Sequence, residues 1–303
     1  MAVYKKTYRP YEGRLTASWR RLLVIPQYAF EDLRRSRFLT VFYITTFIYP
    51  LICALIIYVQ HNASALRLIN AEGAQRLISI NVPFYMGMLG WQSMLALFLA
   101  AFIGPGQISP DLANNALSLY LARPFSRVEY VLGKMLVLAI LISLMTWIPG
   151  LLLFGLEGYL EGWDWMSANS RIASGLFFGS WVWIPVLCLL ALALSAWVKW
   201  KPAAGGLIFG VIFVGQAFGA MVNHIQRTSW GYLFDINYLI GSIWVRLFEG
   251  ENPTTSGAVF FRAPLGSEGG APPLWCSWTL LAGLALVCLY MLRRKIRGAE
   301  VVR

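Results

Sequence analysis

The chain is 303 residues long, carries a formal net charge of +11, and is 58% apolar but only 13% charged, with a mean hydropathy of +0.61. A soluble domain of that length does not need so much apolar side chain for its core. The composition therefore excludes an ordinary globular enzyme and leaves an all-α integral membrane protein, in which helices satisfy their own backbone in lipid.

The leader, residues 1–37, carries Lys5, Lys6, Arg9, Arg14, Arg20 and Arg21 ahead of any apolar span, which argues against a secretory signal peptide and keeps the amino terminus in the cytoplasm. Within it, LTASWRRLLVIPQYAFEDLRRSR places Trp19, Leu22, Leu23, Phe30 and Leu33 on one face and Arg20, Arg21, Arg34, Arg35 and Arg37 toward anionic headgroups. This predicts an amphipathic interfacial helix, broken in two at Pro26, that serves either as a membrane anchor or as a docking surface for a cytoplasmic partner.

Six mainly uncharged runs follow, at 38–59, 82–104, 130–154, 172–198, 203–222 and 274–292. At ~1.5 Å rise per residue, about twenty residues cross a ~30 Å hydrocarbon layer. With the amino terminus inside, most of the 25 basic residues fall on the cytoplasmic side, in the leader, the 105–134 connection, Lys199, Lys201 and the tail from Arg293. Glu157, Glu161 and Asp164 gather in one outer loop. The positive charge is thus a topology signal in a plasma membrane of the bacterial inner-membrane type, with both termini cytoplasmic and membrane lipids as neighbours. It is not a nucleic-acid surface.

Between the first two spans, Leu66, Ile69, Gly73, Leu77 and Ile80 trace one face of an outer amphipathic helix. The extracytoplasmic loop 223–273 contains the apolar stretch Tyr232 to Phe248, interrupted by Asp235, Asn237 and Arg246. A seventh crossing there would send Arg293, Arg294, Lys295 and Arg297 outside, so short interfacial or re-entrant helices before the sixth span are expected instead.

No span places an ionisable side chain near its middle, as a proton relay or ion-coupled carrier would require. His61 and His224 sit singly at outer span ends and read as interfacial polar groups. Cys53, Cys188, Cys276 and Cys288 have neither metal nor redox spacing and read as packing residues. Gly133-Lys134 is followed by Met135, with Val128 where a phosphate loop needs its earlier glycine. The sequence thus offers no catalytic, cofactor or metal site in this chain, and uphill movement would need energy from another polypeptide.

The cytoplasmic segment 108–126 is the most punctuated part of the chain. Ser109 suits a helix cap, Pro110 its first position, and Asp111 the positive dipole end. Leu112, Ala116, Leu119 and Tyr120 share a face, with Asn114, Asn115 and Ser118 around the others. Pro124 ends the helix at Arg123, and Ser126 with Glu129 forms a capping box that starts the third span.

At these residues, LSLYLARPFSRVEYVLGK resembles the cytoplasmic signature of permease subunits from ABC transporters of the type-2 export class. The resemblance implies a short coupling helix between spans two and three, followed by an R-P-x-S/T-R turn and a Gly-Lys pair. It implies that the 110–122 helix inserts into a groove on a separate ATP-binding subunit, present in two copies and carrying ATP and Mg. The residues so assigned to docking are Asp111, Leu112, Asn114, Asn115, Ala116, Leu117, Tyr120, Arg123, Pro124, Arg127 and Glu129. The family has a glutamate near the start of this helix, where this chain has Asp111.

The fifth span carries Gly206 with Gly210 and Gly215 with Gly219, two pairs at the spacing that permits close helix approach. They lie on nearly opposite faces and suit either packing within the chain or a dimer seam with a second permease, itself or a related chain. Pro50, Pro149 and Pro185 predict kinks. Thr45, Thr46, Gln92, Ser93, Ser143, Thr146 and Gln216 offer a polar path through the membrane. The expected function is that of an exporter permease driven by a partner ATPase. The alternatives are an ATP-independent channel or carrier, or a membrane scaffold.

Overall fold

A computed structural model describes residues 18–62, 79–114, 126–198, 200–250 and 272–296, and among these the chain is helical with no strand. The helices are α1 (Ser18–Arg35), α2 (Arg37–Thr45), α3 (Ile48–His61), α4 (Val82–Ile103), α5 (Pro105–Ala113), α6 (Arg127–Met145) and α7 (Trp147–Glu161). They continue as α8 (Trp163–Ala168), α9 (Ser170–Trp197), α10 (Lys201–Gln226), a 3-10 turn (Trp230–Phe234), α11 (Ile236–Glu249) and α12 (Leu274–Lys295). Six stretches are long and apolar enough to cross a membrane: Arg37–His61, Val82–Ala113, Arg127–Glu161, Ser170–Trp197, Lys201–Gln226 and Leu274–Lys295.

The expected spans are all present, but two run further than hydropathy suggested. The second continues as helix through Ala113, and the third through Glu161. Glu157 and Glu161 therefore belong to a span end and not to a loop, and only Asp164 lies beyond it, in α8. Exposed basic residues Arg34, Arg35, Arg37, Arg127, Arg293 and Arg294 mark one end of the bundle. The acids of α7 and α8 mark the other.

Proline explains the breaks within spans. It lacks an N–H and its ring crowds the carbonyl four residues earlier. Pro50 accordingly parts α2 from α3 at Thr46, and Pro149 parts α6 from α7 at Met145 and Thr146. The Thr46 carbonyl, left without its helical donor, accepts from Gln92 Nε2 of α4 at 3.0 Å. Gln92 thus repairs the first span. Of the polar residues expected to offer a path, Ser93, Thr46 and Thr146 return their hydroxyls to their own helices, and Thr45 and Gln216 face outward. Pro185 and Pro26 do not divide their helices: α9 and α1 run through them unbroken, which for Pro26 departs from the expected break. In α1 the apposed α6 supports the helix from Ile25 onward.

The fourth span is central, with 72% of its most apolar stretch buried, against 22% in the first, fifth and sixth. Beyond α10 the chain reverses at Arg227, whose φ of 48° is left-handed. The 3-10 turn then folds back along α10, where the Phe234 and Gly231 carbonyls touch Gly215 and Gly219 closely enough to exclude a Cβ. Asp235 caps α11 by accepting from Asn237 N–H at 2.8 Å, and burial pushes its carboxyl above the usual range. Helix α11 is too short to cross, yet Trp244 and Phe248 bury against Gly179 and Gly175 of α9, and Trp244 Nε1–H donates to the Gly179 carbonyl at 2.8 Å. It is wedged among the spans and does not lie on the surface.

Candidate functional site

The residues assigned to coupling emerge from the basic end. There, α4 meets α5 at Gly104, where a Cβ would strike the Ala100 carbonyl oxygen and lie 2.8 Å from Ala191 Cβ of α9. Only a glycine lets the second span bend while pressed on the fourth. The helix after the bend begins at Pro105, four residues before the cap expected at Ser109. Ser109 lies buried inside α5 and Pro110 sits within the helix. Asp111 consequently falls in its last turn, at the negative dipole end, and not in the first turn where it was expected.

That displacement has two compensations from other helices. Ser195 of α9 is fully committed: its Oγ accepts from Ile108 N–H and Ser109 N–H at 3.1 Å each and donates to the Pro105 carbonyl at 2.9 Å. A hydroxyl has one donor and two acceptor sites, so all are used. Asp111 Oδ2 accepts from Lys134 Nζ at 2.9 Å and from the Tyr130 hydroxyl at 2.7 Å, both on α6. With side chains only 12% and 17% exposed, this ion pair is largely shielded from water. Its charge-assisted bonds join the end of the second span to the start of the third.

The third span starts as expected. Glu129 N–H donates to Ser126 Oγ at 3.2 Å and Ser126 N–H to Glu129 Oε2 at 2.6 Å, completing the capping box. One turn on, Gly133 packs directly on Ile25 of α1, whose Cδ1 would have to shift to admit a Cβ 2.8 Å away. The Gly-Lys pair thus has two mechanical roles: Gly133 seats the amino-terminal helix, and Lys134 holds Asp111.

Among the docking residues assigned from sequence, Asp111 and Leu112 lie in α5, and Asn114 is its exposed C-cap. Leu112 lines a groove of about 360 Å³ with Ser109, Ala113, Trp197, Val198 and Lys295. Arg127 opens α6 and faces a basic cleft of about 610 Å³ with Tyr290, Arg293 and Arg294 of α12. Asn115, Ala116, Leu117, Tyr120, Arg123 and Pro124 lie outside the described residues. Sequence reasoning missed Ser195, for which no local signal exists, and Tyr130, whose spacing of four from Lys134 places both on one helix face.

The two glycine pairs of the fifth span separate. Gly215 and Gly219 receive the 3-10 turn of the same chain, whereas nothing lies within 4 Å of the site a Cβ would occupy at Gly206 or Gly210. Gly205, just before them, packs on α4 so closely that a Cβ there would lie 2.6 Å from the Ala101 carbonyl oxygen.

The sequence model of a family described as ABC-2 family transporter protein matches residues 25–231, more than half of the chain, from within α1 to the 3-10 turn. No curated protein matches the chain.

Proposed function

We propose, from the premise that the chain belongs to the ABC-2 family of transporter proteins, that it is the permease subunit of an ATP-driven exporter. An ABC-2 permease is the membrane component of its transporter and works with an ATP-binding ABC subunit, which holds the nucleotide. In this reading two such subunits carry ATP and Mg, and each presses on segment 108–126 of one permease chain. The basic end then faces the cytoplasm, as the bias of lysine and arginine toward that side requires. Both termini lie there too.

The observation that carries the proposal is the mounting of this segment. It leaves α5 and re-enters at Ser126, and the Asp111–Lys134 and Asp111–Tyr130 bonds tie those two ends together. Ser195 fixes the same base to the fourth span. A push delivered there is not absorbed locally but passes to three spans at once. The exposed faces of the first and fifth spans, with Gly206 exposed and the half-buried Gly210 open to a Cβ, suit a second permease chain, which would double the six spans into a full translocation unit.

Co-expression with the candidate ATP-binding subunit tests the docking. Leu117→Asp and Tyr120→Asp place a charge on the proposed docking helix, and each should release the ATPase on purification or uncouple its hydrolysis from transport. Wild-type copurification and coupling in both variants would overturn the assignment.

A further inference from the structure

At the end of the bundle opposite the coupling base, His61 is the last residue of α3, and Glu157 and Glu161 stand one turn apart on one face of the last turns of α7. The two helices pack together. His61 Nε2 lies 3.8 Å from Glu157 Oε1 and 3.2 Å from Glu161 Oε1, and the three atoms all fall within 4.8 Å of one another. We propose that this His-Glu-Glu cluster is a binding site for a divalent transition-metal ion, zinc in the first instance, that clasps the end of the first span to the end of the third.

Four observations support it. His61 Nδ1 lies 2.9 Å from the Ile57 carbonyl. A carbonyl only accepts, so Nδ1 carries the proton, and Nε2, which faces the two carboxylates, is the atom left to bind a metal when the ring is neutral. This is the arrangement by which a backbone carbonyl orients metal-ligating histidines. Second, Nε2 and the two carboxylate oxygens converge on one point, so the cluster needs a positive charge there, either a proton on Nε2 or a metal ion that replaces it. Third, Glu157 is only 2% exposed, and its Oε2 finds no hydrogen-bond partner among the described residues. Leaving a buried carboxylate oxygen unpaired is costly, and a metal bond would satisfy the group. Fourth, metal bonds of ~2.0–2.2 Å set neighbouring ligand atoms about 3.3–3.6 Å apart in a tetrahedron, between the two distances found.

The charge balance also closes. In the metal-bound form, two carboxylates and a neutral imidazole contribute two negative charges at the edge of a low-dielectric layer, and one divalent ion cancels them. A nitrogen and two carboxylate oxygens form a donor set suited to zinc, with a fourth position for water. Glu161, half exposed, gives the ion an entry route from solvent. The site is independent of the ATPase-docking reading, since it lies at the other end of the bundle and its test needs no ATPase.

The test uses the full-length chain in lipid nanodiscs, with tags removed and metal stripped by chelator. Zinc is titrated by calorimetry, and cobalt(II) serves as a coloured probe of coordination geometry. The expected result is one site per chain, a tetrahedral cobalt spectrum, and an unfolding temperature that rises with zinc concentration. Affinity should fall at least ~10-fold in E157Q and in E161Q, since even the loss of an outer-shell partner brings that much. H224N and D164N should bind as wild type. If E157Q does not fold, the exposed E161Q carries the test. Absence of binding in the wild type, or equal binding in E161Q, would overturn the proposal. So would finding that His61 is held as an imidazolium with no metal taken up.

Discussion

The two ends of this bundle are tied by opposite means. At the basic end, the polar groups around the bend are matched within the chain: Asp111 has a cation and a hydroxyl, and the Ser195 hydroxyl uses every bond it can make. At the acidic end, two carboxylates converge on one imidazole, and a buried oxygen of Glu157 is unmatched among the described residues. The difference teaches that one end is self-sufficient and stiff, as a mount for an external force must be. The other end, among the described residues, is where the proposed metal ion would complete the bonding.

Charge removal should therefore act with opposite sign at the two ends. The largest effect is expected from Lys134→Met, which strands Asp111 in a shielded site and should cost roughly 3 kcal/mol of stability. Most of that should return in the Asp111→Asn, Lys134→Met double variant, read by denaturant unfolding in detergent. Ser195→Ala comes next, at about 1–3 kcal/mol, because two N–H groups and a carbonyl lose their partner. At the other end, Glu157→Gln in metal-free protein should leave stability within about 0.5 kcal/mol of wild type or raise it, since a buried charge disappears. A loss as large as that of Lys134→Met would erase the contrast.

The smallest effect on folding is expected at Gly206 and Gly210. Alanine at either should change the stability of the chain by less than about 0.5 kcal/mol, the range of surface changes. A bulky Gly206→Leu should instead lower self-association in a cross-linking assay if that face meets a second permease. Folding loss in the alanine variants would show that this face is already packed.

Local features of the chain were legible before any coordinates. Hydropathy located all six spans, and the Ser126 and Glu129 capping box was readable because both partners lie within one turn. What sequence could not show depends on contacts between distant residues. The helix start expected at Ser109 falls inside a helix running from Pro105 to Ala113, whose first turn is held by Ser195 from the fourth span. Pro26 leaves α1 whole while Pro50 breaks its span, a difference set by surroundings and not by the residue. His61 read as solitary because Glu157 and Glu161 reach it only through the pairing of the first and third spans. The helix proposed to dock the ATPase is in large part outside the described residues, so its assignment rests on the family and on its mounting.

The bond from Gln92 to the Thr46 carbonyl has a consequence for motion. Pro50 deprives that oxygen of its own helix's donor, and hydrocarbon offers no replacement. Any outward swing of the first span from the second must strand a peptide oxygen in oil. The pair therefore behaves as a detent, holding the two helices at one setting until a load large enough to trip it arrives.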